Sequence, residues 1–229
     1  MRWRRGLASS NNSGTASSRA MSDRAFDIEK RSFEIIDSEA GKHDYDEMQW
    51  TIVRRVIHAT ADFDFATGKD KIIFHPRAIQ SAFSAIKNQC AVISDVDMVL
   101  AALNKKSIAD LGLRPLCHIS VPLLADKARR SGKTRSELAM RHAAKEIEGG
   151  IVVIGNAPTA LYELIKMIQE RVAIPSLVVG IPVGFVSAPE SKEELSKLDV
   201  PFITNSGRKG GSPAASSIIN AIMLLYQSK

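Results

Sequence analysis

Short apolar runs and amphipathic stretches alternate along almost all of this chain. From Phe26 the repeat is helical: FDIEKRSFEIIDSEA spaces Phe26, Ile28, Phe33, Ile35 and Ile36 as one helix, which Gly41 ends. A second helix is expected over about Asp46–Ala61, with Met48, Ile52, Val53, Val56 and Ile57 apolar and His58 in its last turn. KIIFHP then reads as a short strand stopped by Pro76, and AIQSAFSAIKN as a helix. CAVISD reads as a buried strand, DMVLAALNKK as its helix, and LCHISV as a further buried strand ended by Pro122. Thr134 with Glu137 three residues later forms a capping box opening the helix RSELAMRHAAKEIEGG.

The second half then repeats one phrase three times. IVVIG leads through Asn156-Ala157-Pro158-Thr159 into ALYELIKMI. LVVG leads through IPVGFVSAPE into SKEEL. PFIT leads through Asn205–Ser212 into PAASSIINAIMLL. Each is a β-branched run, a glycine- or proline-marked loop and a helix. About six such strands separated by helices predict an α/β fold: a doubly wound, mostly parallel sheet with helices on both faces, in a single domain. Helix N-termini offer unpaired N–H groups, so three of them at one sheet edge predict a site for a large, acidic molecule.

Charge changes this picture little. Residues 1–20 hold four arginines (Arg2, Arg4, Arg5, Arg19) and no acid, so the net charge of +6 falls to +2 over residues 21–229. A broad basic face for nucleic acid is not expected on so neutral a body. The Ser- and Arg-rich segment 1–24 reads as a disordered tail or a presequence, leaving 25–229 as the folded domain. No apolar run is long enough to span a membrane. Cys90 and Cys117 lack CxxC spacing, which suits a reducing, cytoplasmic setting.

Several motifs can be weighed on their chemistry. Ser131-Gly132-Lys133-Thr134 resembles a P-loop tail, but Lys127 stands where the first glycine is needed. No G-x-G-x-x-G occurs, so neither a nucleotide nor a redox cofactor is expected. The five histidines lack chelating spacing. Cys117 and His118, placed on one strand, would point to opposite faces, so no metal is expected. His58 is a candidate proton donor at a helix C-terminus, with Arg54 and Arg55 one turn earlier opposing its protonation; a structural histidine is the alternative. Asn156–Thr159 reads equally well as a helix cap and as part of a site. Gly207–Pro213 is the better anion candidate, because Arg208 and Lys209 are held between glycines. Phe185 either packs on the sheet edge or stacks on a planar ligand.

Taken together, these segments resemble the precorrin-8X methylmutase family. The likeness runs in order over about residues 31–221: S-F-E-I-I, R-V-I-H-A-T, S-D-V-D-M-V, T-R-S-E-L-A-M, G-N-A-P-T-A-L, G-I-P-V-G-F-V with A-P-E-S-K, and G-R-K-G-G-S followed by N-A. The resemblance implies a homodimeric isomerase of cobalamin biosynthesis that moves a methyl group from carbon 11 to carbon 12 of a corrinoid, without a cofactor. It implies His58 as the acid. It implies Thr134, Arg135, Asn156, Ala157, Pro158, Thr159, Gly184, Phe185, Arg208, Lys209, Gly210, Gly211 and Ser212 as substrate-binding residues. The family pattern has Gly where this chain has Ala61, and Glu where it has Asp97. A non-catalytic corrinoid-binding protein and an enzyme acting on a phosphorylated substrate are the rival readings.

Overall fold

The computed structural model describes residues 13–229, and for residues 13–23 and 25 only the backbone path. The chain divides at Gly41 into two compact units. The first contains one helix, α1 (Ser13–Ala40), which ends at Gly41 with φ +67°. The expected boundary at residue 25 falls inside α1, and the part of the basic segment before residue 13 lies outside the described residues.

The second unit, residues 42–229, holds a six-stranded sheet. Its elements follow in order. First come α2 (Glu47–Thr60), a 3-10 turn (Phe63–Phe65), β1 (Ile72–Phe74), α3 (Ala78–Lys87) and β2 (Ala91–Ser94). Then follow α4 (Asp97–Ala101), α5 (Lys105–Asp110), β3 (Arg114–Cys117), α6 (Pro122–Ser131), α7 (Arg135–His142) and α8 (Ala144–Ile147). The three repeated phrases give β4 (Ile151–Ile154), α9 (Pro158–Gln169), β5 (Leu177–Gly180), α10 (Ala188–Ser196), β6 (Phe202–Asn205) and α11 (Ser212–Gln227). The sheet order is β1-β6-β5-β4-β2-β3, parallel throughout except for β1, which runs antiparallel to β6. Helices α2, α3, α4 and α5 gather around α11, while α7 and α10 pack on α9. Every residue of β2, β4, β5 and β6 is buried, which is why these strands read as unbroken apolar runs. The doubly wound, mostly parallel sheet is the architecture expected.

Three local expectations need correcting, and one helix was not expected. LCHISV is not a buried strand: β3 is an exposed to half-buried edge strand, and the chain leaves it at His118, so strand alternation does not separate Cys117 from His118. DMVLAALNKK is not one helix, because Asn104 caps a second one through a bond from Ser107 N–H to its side chain (2.9 Å). Asn220 on α11 fills the break, accepting from Asn104 N–H (2.8 Å) and donating to Ala102 O (3.0 Å). The helix after Thr134 breaks at Ala143 into α7 and α8. Helix α6 has too mixed a pattern to be expected at all. No helix among the described residues is long and apolar enough to cross a membrane.

Candidate functional site

The connections from β2 and from β4 leave toward opposite edges of the sheet, so the strand order reverses between these neighbours. Ligands of doubly wound sheets bind at such a point, beyond the C-terminal ends of the strands. The three loops 155–159, 181–187 and 206–211 all start at those ends.

The first loop is organised from below by a residue whose role the sequence did not reveal. Asp95, just past β2 and 2% exposed, accepts N–H bonds from Gly155 (3.1 Å), Asn156 (2.8 Å) and Ala157 (2.6 Å). Burial pushes its carboxyl above the ordinary value, and those three donors pull it back. The protein's own carboxylate therefore occupies the N–H groups expected to await an anion. Asn156 is not the helix cap either: Ala157 takes that place without a side-chain bond, and the Asn156 side chain is exposed. Helices α9, α10 and α11 each open with proline in the first two positions, which removes a further donor from each.

Thr134 and Arg135 come to the same loop from α7. The capping box forms as expected, with Glu137 N–H on Thr134 Oγ1 (3.2 Å) and Thr134 N–H on Glu137 Oε2 (2.7 Å). Thr134 Oγ1 donates to Thr159 Oγ1 (3.1 Å), and the buried Glu163 pairs with Arg141, which also reaches Glu170 (3.0 Å). These bonds hold α7 on α9, and Arg135 is left exposed.

The second and third loops pair with each other. Gly184 N–H donates to Arg208 O (3.1 Å) and Gly211 N–H to Ile181 O (2.9 Å). Gly210 has φ +152°, and a Cβ there would overlap the Ile181 carbonyl. Gly155 lies against the start of α11, where a Cβ would meet Ser212 Cα at 2.9 Å. All three loops are thereby tied into one rim. Phe185 does not pack on the sheet edge: it is 80% exposed, with the Arg208 guanidinium 5.3 Å from its ring centre.

Beneath the third loop lies a buried cation. Lys192 on α10, 1% exposed, donates to Asn205 Oδ1 (3.1 Å) and Lys209 O (2.8 Å). Burial lowers its ammonium to about 8, opposed by the nearby Asp70. The Lys209 ammonium meets Asp62 Oδ2 (2.7 Å) and Asp64 Oδ2 (2.6 Å). Four residues before Asp62, His58 is exposed in the last turn of α2. That helix packs on α11 and ends through Ala61 in the left-handed region (φ 54°), the position where the family pattern carries Gly. Asp97, the other departure, accepts from Ser120 Oγ (3.1 Å). Among the described residues no three His, Cys, Asp or Glu side chains are grouped to hold a metal ion.

The family model described as precorrin-8X methylmutase matches residues 27–225. The chain belongs to the precorrin-8X methylmutase family. It is 50% identical over 201 residues to the cobalt-precorrin-8 methylmutase of Priestia megaterium, covering 88% of each chain. It is 34% identical to the precorrin-8X methylmutase of Pseudomonas aeruginosa, covering 85% of this chain and 93% of that one. A crystal structure of the precorrin-8X methyl mutase from Thermus thermophilus superimposes with a TM-score of 0.81 at 35% identity, over 88% of this chain and 96% of the other. The matched span of residues 27–225 contains α2, the whole sheet and the three loops.

Proposed function

We propose that this chain is an isomerase of cobalamin biosynthesis that moves a methyl group from carbon 11 to carbon 12 of precorrin-8X or cobalt-precorrin-8, giving hydrogenobyrinate or cobyrinate. Residues 25–229 carry the reaction, residues 1–24 take no part in it, and the enzyme works as a cytoplasmic homodimer. The observation that carries the reading is the Phe185–Arg208 pair. An almost fully exposed phenylalanine forgoes roughly 1.5–3 kcal/mol of burial, which a flat ring laid on it recovers. A guanidinium beside that face suits a ring bearing carboxylates. Arg135 supplies a second exposed cation, and Asn156 is exposed at the rim with its N–H already taken by Asp95 from below.

His58 is the acid in this reading. Its imidazolium lends a proton to the ring system, electron density moves toward that proton, and the methyl–carbon 11 bond breaks as the methyl–carbon 12 bond forms. The proton returns to His58, so nothing is oxidised or reduced. Acid assistance of this kind is worth about a hundred- to ten-thousand-fold. Holding the ring close to its product shape contributes the remainder.

The test is a visible-spectrum titration and turnover assay with both the metal-free and the cobalt-bearing substrate. His58→Ala should lower turnover by about a hundredfold or more while binding product within a few-fold of the parent. Normal turnover by that variant overturns the acid assignment, and failure of both corrinoids to bind overturns the function.

A further inference from the structure

Lys209 is where three parts of the candidate site meet. Its N–H donates to Asp70 Oδ1 (3.2 Å), and its carbonyl accepts from Lys192 Nζ (2.8 Å) and Asn205 Nδ2 (3.0 Å). The peptide is therefore pinned at both polar ends from inside the protein. Its ammonium makes three contacts, to Asp62 Oδ1 (2.9 Å), Asp62 Oδ2 (2.7 Å) and Asp64 Oδ2 (2.6 Å), which matches its three donors. One lysine and two aspartates leave this corner with a net negative charge, so it repels a carboxylate instead of holding one. Asp62 is itself fixed, because its side chain also accepts the Asp64 N–H (3.0 Å).

We propose that Lys209 is a positioning residue and not a substrate ligand: through Asp62 and Asp64 it fixes the end of α2, which carries His58, against the glycine-rich loop that carries Arg208. The inference rests on His58 being the acid. The link is short on both sides. Only Ala61 separates the last residue of α2 from Asp62, and Arg208 is the residue next to Lys209. An isolated exposed ion pair would hold little, because the side chains lose entropy and water competes. Here one partner's backbone is locked and one carboxylate already caps a turn, so the side chains bring less freedom to the contact. Displacing a catalytic group by about an ångström costs on the order of a hundredfold in rate, which is the effect the clamp prevents.

The test compares Lys209→Met, the pair Asp62→Asn with Asp64→Asn, and the triple variant. Asparagine at 62 still accepts the Asp64 N–H, so the turn is preserved. Each change should lower kcat by about ten- to a hundredfold. KM and the Kd for hydrogenobyrinate should stay within about threefold, and the triple variant should be no worse than either partner alone. Lys209→Arg, which keeps the charge, should recover most of kcat. If Lys209→Met weakens hydrogenobyrinate binding by about tenfold or more while the aspartate pair does not, Lys209 is a ligand and the proposal falls. It also falls if kcat is unchanged in both. Should Lys209→Met fail to fold, the aspartate pair and Lys209→Arg decide by the same criteria. A His58→Ala enzyme that turns over normally removes the acid assignment and this proposal with it, whereas an inactive His58→Ala enzyme beside unchanged kcat in the Lys209 and aspartate variants removes this proposal alone.

Discussion

The Gly155–Thr159 loop and the Ser206–Gly211 loop open helices in the same way, yet a carboxylate alone gathers the first, whereas a buried ammonium joins the carboxylate of Asp70 under the second. Asp95 sits under the first and gathers three N–H groups. Lys192 sits under the second and gathers a carbonyl and a side-chain amide oxygen. In the first, the backbone presents donors inward and leaves Asn156 and Thr159 to the rim. In the second, it presents both an acceptor and a donor inward at Lys209 and leaves Arg208 exposed. A loop at a helix start is therefore not by itself an anion site. What lies beneath the loop decides which polar groups remain for a ligand.

Removing the carboxylate should have the larger effect. Asp95→Asn turns an acceptor into a donor facing at least one N–H, and each orphaned buried donor costs about 1–3 kcal/mol, so we expect a loss of about 3 kcal/mol in urea unfolding. A loss under about 1 kcal/mol would mean that the loop is not organised by this residue. Lys192→Met should cost less, about 1–2 kcal/mol, because Lys209 O keeps its bond from Asn205 and an ammonium no longer has to be buried. If the order of these two losses were reversed, the contrast between the loops would be wrong.

The cation also gives the second loop a pH signature. The Lys192 value of about 8 lies below its ordinary 10.5, so between these values the unfolded chain holds the extra proton. Stability from this group then rises with pH across that window, and below about 8 the full cost of burying the ammonium is present. The difference in unfolding free energy between parent and Lys192→Met should therefore move in favour of the parent from pH 8 to 10.5. A flat difference would contradict the desolvation of this ammonium. The smallest effect concerns the His58 helix, which neither buried charge supports directly. Ala61→Gly relieves a left-handed residue and should raise stability by up to about 1 kcal/mol, or about 2–4 °C in the thermal midpoint. A lower midpoint would show that Ala61 makes contacts outweighing the strain.

Much of this was legible because it is local. The capping box at Thr134, the α2 limits near Asp46 and Ala61, and the three strand–loop–helix phrases depend on residues within a few positions of each other. Asn104 was a local signal too, an N-cap hidden inside an apolar run, and missing it merged α4 with α5. The reach from Asp95 to Gly155–Ala157 and from Asp62 to Lys209 spans 60 residues or more. No periodicity carries such information.

The sequence by itself determined the sheet, its parallel sense, the family and the loops that form the rim, since strand burial and loop composition are written in the spacing of residues. Tertiary structure alone decided what each loop's polar groups face. Burial makes an unpartnered charge or amide costly, so Asp95 and Lys192 take the partners that folding brings to them. Those choices left Phe185 and Arg208, and not the helix N-termini, as the exposed chemistry of the rim.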